Sequence, residues 1–161
     1  MTPLSNAAGL GGIDTVLLLL NYGAVIETRD DGGRTPLSHA AASRAVDVVQ
    51  LLLEFGAEIE TRDNGARTPL SHAAEFAASS GYSAMVCFLL AWPTINIDSK
   101  DDEGLTAIGW ADAISEGHAR TNEIASEGIV TILKTALLEK GHNLCIDGGD
   151  STILSSKVAT C

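Results

Sequence analysis

Two imidazoles and an indole hold the places where this sequence could do chemistry. His39 and His72 stand 33 residues apart, each directly after Thr-Pro-Leu-Ser, and Trp110 takes the matching place in a looser copy. An imidazole titrates near neutrality and can move protons. Three readings of the series are open: hydrogen bonding that ties successive turns together, a strip contacting a partner, and a pocket for catalysis or a ligand. The first asks least of the residues. Aromatic and imidazole groups suit a contact strip, whereas the pocket would need a nucleophile at dependable spacing, and none joins them.

Other chemical signals are incomplete. His142 and Cys145 lie three apart, a metal-like spacing, but no second pair completes a site. Gly9-Leu10-Gly11-Gly12 lacks the lysine and the preceding strand of a phosphate loop, and reads as a turn between two helices. The acidic run from Asp98 to Glu103 has the charge of a calcium loop without its spacing. No catalytic residue, metal site or cofactor follows from the sequence.

The elements that must position these groups are helical. The chain of 161 residues is about one domain long, 45% hydrophobic but only 4% aromatic. Alanine and leucine are plentiful among the apolar residues, which favours close-packed helices over a sandwich or barrel. A net charge of −11 repels nucleic acid and anionic membranes. No apolar run reaches the ~20 residues of a membrane-spanning helix, and the longest, Ala84 to Trp92, reads as a short buried helix. Met1-Thr2-Pro3-Leu4 does not open a secretory signal. Three cysteines without a CxxC pair suggest reduced thiols, hence an intracellular, cytoplasmic location.

The organising feature is a repeat. Thr2-Pro3-Leu4-Ser5, Thr35-Pro36-Leu37-Ser38 and Thr68-Pro69-Leu70-Ser71 step by 33, each followed two residues on by an alanine pair. Leu18-Leu19-Leu20-Asn21-Tyr22-Gly23-Ala24 and Ile26-Glu27-Thr28-Arg29-Asp30 return at the same interval as Leu51 to Ala57 and Ile59 to Asp63. Thr can cap a helix whose first residue is Pro, where a missing N–H costs nothing. The alanine pair allows close helix approach, and Val46 to Leu53 give the second helix a broad apolar face. Gly56 stops that helix, and Asp30-Asp31-Gly32-Gly33 and Asp63-Asn64-Gly65 are turn chemistry.

These motifs together resemble the ankyrin repeat over almost the whole chain. The resemblance implies an all-α solenoid of paired antiparallel helices with short β-hairpin fingers along one edge. It also implies a protein-interaction module, not an enzyme, whose partner contacts the finger tips and the exposed face of the first helices. Carried onto this sequence, the contact positions are Arg29, Asp31 and Arg34, then Arg62, Asn64 and Arg67, then Lys100, Asp102 and Leu105, with His39, His72, Phe76 and Trp110 along the groove. Half of the ten basic residues fall on these fingers, where they could steer an acidic segment of a protein partner. The competing account pairs them locally with Glu27, Asp30, Glu60, Asp63 and Asp101, at ~0–1 kcal/mol for each exposed pair. The usual motif has His directly after Leu. Here Ser5, Ser38, Ser71 and Gly109 stand there, and Asn6, His39, His72 and Trp110 follow one residue later. The alternative function, an enzyme or small-molecule binder, would use the groove around His39, His72 and Trp110, enclosed by Phe76 and Tyr82.

The pattern places one domain over 1–161, with repeats at about 1–33, 34–66, 67–104 and 105–143 and a partial fifth at 144–161. Its regularity decays along the chain. The fourth copy, at Thr106, comes 38 residues after Thr68, with the excess expected between the helices of repeat three, from Glu75 to Tyr82. In repeat four a second helix is expected from about Gly128 to Lys140, after a polar insert around Ser115 to Ser126. Terminal repeats of a solenoid carry a polar outer face, and Leu17 to Leu20 do not provide one. Either the chain belongs to a longer array, or self-association covers its uncapped ends.

Overall fold

The computed structural model of the chain describes residues 1–117 and 123–142. Their helices run in pairs: α1 (Pro3–Gly9) and α2 (Ile13–Asn21), α3 (Pro36–Ala41) and α4 (Val46–Glu54), α5 (Pro69–Ser80) and α6 (Ala84–Leu90), α7 (Ala107–Gly117) and α8 (Glu123–His142). First helices pack on first helices, α1 on α3 on α5 on α7, and second helices follow the same order behind them. The result is the two-layered all-α solenoid that the repeat implies.

Each first helix starts for a local reason. Thr2, Thr35 and Thr68 hold extended backbone, and their Oγ1 atoms accept from the N–H of Ser5, Ser38 and Ser71 at 3.1, 3.3 and 3.3 Å. A cap of this kind contributes ~1 kcal/mol. Burial then takes over. Ala8, Ala40, Ala41, Ala73 and Ala74 are fully buried between neighbouring first helices, where a larger side chain would force the row apart. Val16, Val49 and Val86 fill one corresponding place in three successive second helices. Leu37, Leu52, Leu70, Met85, Leu89 and Leu133 complete a continuous core, each stabilising by ~1.5–3 kcal/mol.

The structure differs from the sequence expectation at the inserts. The extra residues of repeat three do not form a loop between helices. They continue α5 to Ser80, twice the length of α3, until Gly81 ends it in the left-handed region. Ala77 and Ala78 explain this, because both are fully buried and reward continued helix. In repeat four α8 begins at Glu123, earlier than Gly128, so part of the polar insert is helical. The expected partial fifth repeat, and Cys145 with it, lies outside the described residues. Cys87 on α6 is disulfide-bonded, where the odd count and missing CxxC had suggested reduced thiols. Disulfide pairing follows proximity in space, which sequence spacing does not report.

The fingers also differ from expectation, since the described residues contain no β-strand. Each finger is a turn closed by two backbone hydrogen bonds: Asp30 N–H to Arg34 C=O at 3.0 Å, Asp63 to Arg67 at 3.1 Å and Asp101 to Leu105 at 3.0 Å, and the N–H of Gly33, Ala66 and Gly104 back to the C=O of the same aspartates at 2.9, 3.0 and 3.0 Å. Their arms are too short to build a ladder. The inner turn needs a positive φ, found at Gly33 (76°), Ala66 (60°) and Gly104 (77°).

Candidate functional site

The His/Trp series and the fingers form one repeated unit. His39 Nε2 lies 2.8 Å from Asp30 Oδ2, His72 Nε2 lies 2.9 Å from Asp63 Oδ2, and Trp110 donates Nε1–H to Asp101 Oδ2 at 2.6 Å. In each case the carboxylate sits nine residues earlier, at the base of the finger. Its Oδ1 atom accepts the backbone N–H groups of the tip, as in Gly32 and Arg34 onto Asp30 and Gly65 and Arg67 onto Asp63. One carboxylate thus shapes the turn with one oxygen and anchors it to the first helix with the other. The hydroxyls of Ser5, Ser38 and Ser71 turn back to their capping threonines. The tie between elements has moved one residue along the helix.

Electrostatics follow from this burial. His72 is 2% exposed, and burial, with Arg67 and Arg34 nearby, lowers its pKa from 6.5 to about 4 against the opposing pull of Asp63. The ring is neutral and donates Nε2–H to the carboxylate. Burial pushes the Asp101 carboxyl upward, but the indole N–H, the N–H groups of Leu105 and Glu103, and Arg67 outweigh it and hold it below its ordinary range. Asp30 behaves alike: burial is outweighed by the Arg34 N–H, by His39 and by the Gly32 N–H.

The arginines are mostly taken up by the scaffold, but not as expected. The Nη1 of Arg29 donates to the carbonyls of Gly33 in its own finger and Arg62 in the next. Arg62 repeats the step, reaching Lys100 C=O at 2.8 Å and Ser99 Oγ at 2.6 Å. Glu27 and Glu60, expected as their partners, instead accept the backbone N–H of Glu58 and Asn96. Among the described residues, carboxylates form ion pairs with arginine at two places. Arg34 Nε lies 3.9 Å from Asp63, and Arg67 pairs with Glu75 while lying 3.8 Å over the Trp110 ring.

The remaining positions divide between tip and groove. Asp31, Asn64, Lys100 and Asp102 are exposed at the tips, which stack through Asn64 N–H to Gly32 C=O, Asn64 Nδ2 to Asp31 C=O and Asp102 N–H to Gly65 C=O. Phe76, Leu105, His39 and Trp110 are half-buried along the groove. His72 is too deeply buried to offer contact surface, which corrects its place on the strip; an Asp–His bond across elements removes it from solvent. Tyr82 lies under Arg44, 5.2 Å from its guanidinium, while Trp110 is bound to Arg67 and Asp101. Sequence reasoning had Asp30, Asp63 and Asp101 as partners of the arginines and missed their bonds to the His/Trp series. The aspartates' constant offset of nine from His39, His72 and Trp110 was the available signal.

Capped first helices, an alanine-lined row and stacked fingers define a helical-repeat solenoid. Residues 1–63 match ankyrin repeats in a three-copy description and residues 37–90 match ankyrin repeats in a many-copy description. The chain belongs to the ankyrin-repeat family, whose members generally act as protein–protein interaction modules. No curated protein matches it. No helix among the described residues is long and apolar enough to cross a membrane.

Proposed function

We propose that the chain binds a protein partner in the groove beside its fingers, centred on the first-helix strip of repeats two and three. The observation that carries this reading is the availability of Arg34. Its side chain is 40% exposed and its ion pair with Asp63 is long, 3.9 Å from Nε, so an acidic group of a partner can compete for its charge. Arg29, Arg62 and Arg67 are already committed to carbonyls, an indole and Glu75. They hold the strip in place while Arg34, Glu75 and Phe76 present it. A rigid support of this kind lowers the ordering cost of binding.

The test compares the wild-type chain with Arg34→Glu and Phe76→Ala for binding to a partner recovered by affinity capture. Each substitution is expected to weaken binding at least about tenfold, a loss of about 1.4 kcal/mol. Arg29 and Arg62 are unsuitable for this purpose, because replacing them disturbs the fingers. Unchanged affinity in both variants, with unchanged helicity, would remove the groove from consideration.

A further inference from the structure

We propose that Asn64, at the tip of the second finger, is a site of spontaneous deamidation to aspartate and isoaspartate, and that finger stacking sets the rate. Asn64 and Gly65 are both exposed. Of the six asparagines in the chain, Asn64 is the one followed by glycine. The backbone nitrogen of a following residue can attack an asparagine side-chain carbonyl, and a glycine there has no Cβ to obstruct the approach. In this reaction Gly65 N bonds to Asn64 Cγ, and the side-chain nitrogen leaves as ammonia with the proton that Gly65 N gives up. Water then opens the cyclic imide at either carbonyl. One opening leaves aspartate in an ordinary backbone, and the other leaves isoaspartate with the backbone one carbon longer. Water is the only co-reactant.

The folded finger restrains both reacting groups. Asn64 Nδ2 donates to Asp31 C=O at 2.9 Å, and its backbone N–H donates to Gly32 C=O at 2.9 Å. The nucleophile, Gly65 N–H, is donated to Asp63 Oδ1 at 3.0 Å, while Gly65 C=O accepts from the Asp102 N–H at 3.0 Å. Fingers one and three thus grip the dipeptide from both sides. Attack requires its release, and an exposed tip opens locally at less cost than the core. Exposure admits water, but the stack controls how often the reacting atoms are free to meet.

Comparison of the three tips says what the reaction changes. Asp31 and Asp102 stand at the places that correspond to Asn64, so a finger accommodates aspartate there. An ionised carboxylate accepts hydrogen bonds and donates none. The product therefore loses the bond to Asp31 C=O and turns a charged oxygen toward that carbonyl. Isoaspartate disturbs more, because its extra backbone carbon enters a close approach: a Cβ built on Gly33 already lies 2.3 Å from Asn64 Oδ1 and 2.7 Å from Asn64 N. Deamidation uncouples finger two from finger one.

Peptide mapping by mass spectrometry tests this on the full chain held for several weeks at neutral pH and body temperature. Conversion is expected at Asn64, with isoaspartate among the products, and not at Asn6, Asn21 or Asn96, which precede Ala, Tyr and Ile. The same chain unfolded in guanidinium chloride should convert at least about tenfold faster, with folded Gly33→Ala between the two because its Cβ displaces the Asn64 amide. Gly65→Ala should suppress conversion, folded or unfolded; an added Cβ there meets nothing closer than Asp63 Oδ1 at 3.6 Å, so the finger is retained. In Asn64→Asp, amide hydrogen exchange at residue 64 should quicken at least about fivefold, the effect of one ordinary hydrogen bond lost. Asn64 left intact in the folded chain while the unfolded chain converts overturns the proposal. So does conversion equally fast in both, or unchanged exchange in Asn64→Asp. The test needs no partner and the groove reading needs no modified residue, so each can fail without the other.

Discussion

The guanidinium of Arg67 lies over the Trp110 indole, 3.8 Å from the ring centroid, while Trp110 donates its N–H to Asp101, so the Arg67 finger and repeat four's first helix are fastened through one ring. The arginine side chain is 14% exposed, its Nη2 pairs with Glu75, and its Nε is buried without an acceptor. The stacking compensates for part of that lost hydrogen bond.

Arg67→Ala is therefore expected to destabilise the chain by about 1–2 kcal/mol, most of it from the lost cation–π contact and packing. Arg67→Lys keeps the charge but loses the planar stacking, and should fall between the two. Urea unfolding followed by tryptophan fluorescence measures both. A loss below about 0.3 kcal/mol for the alanine variant would mean that the stack is incidental.

The buried His72 should make stability depend on pH above the carboxylate range. Its folded pKa of about 4 lies below the ordinary 6.5, so the neutral form is the one the fold prefers. Its contribution is fully present above pH 6.5 and is lost as pH falls toward 4, by on the order of 3 kcal/mol. Glu60 acts with the opposite sign: burial raises its carboxyl, so its contribution is lost as pH rises and it ionises. His72→Gln should flatten the decline between pH 6.5 and 4 while leaving the Glu60 effect in place. Parallel unfolding curves for wild type and variant across that range would contradict the assignment.

Ala66 holds φ at +60°, where the corresponding residues in the other fingers are Gly33 and Gly104. A Cβ is disfavoured there by ~1–2 kcal/mol, part of which glycine returns as lost chain entropy. Ala66→Gly is expected to stabilise the chain by about 0.5–1 kcal/mol. Gly33→Ala should do the reverse and more, because its Cβ would meet the Asn64 amide oxygen at 2.3 Å and its backbone N at 2.7 Å. Thermal unfolding of the two variants checks the contrast, which fails if both move the midpoint in the same direction.

Much of the fold was legible because its signals are local. Threonine beside proline caps a helix wherever it stands, and Thr2, Thr35 and Thr68 do so in the structure. Gly9 to Gly12 likewise turn the chain between α1 and α2, as their composition suggested. The candidate site was less legible. Arg29 and Arg62 spend their charge on carbonyls of a finger 33 or 38 residues away, and no spacing rule distinguishes such an acceptor from a carboxylate nearby. Glu75 to Tyr82 was placed between the helices because the spacing from Thr68 to Thr106 is long, yet Ala77 and Ala78 are fully buried and the helix runs on through them, which only packing reveals.

By itself the sequence determined the repeat, its period and the all-α architecture, since capping, turn formation and apolar periodicity act over a few residues and need no distant partner. Tertiary structure alone decided how each polar group is used. Stacking buried His72 against Asp63 while leaving its counterpart His39 partly open, and it enclosed Arg67 more than Arg34, whose side chain stays 40% exposed. Identical residues at repeat-equivalent positions thus acquire different solvation and different charge partners, which depend on the neighbour stacked against each repeat.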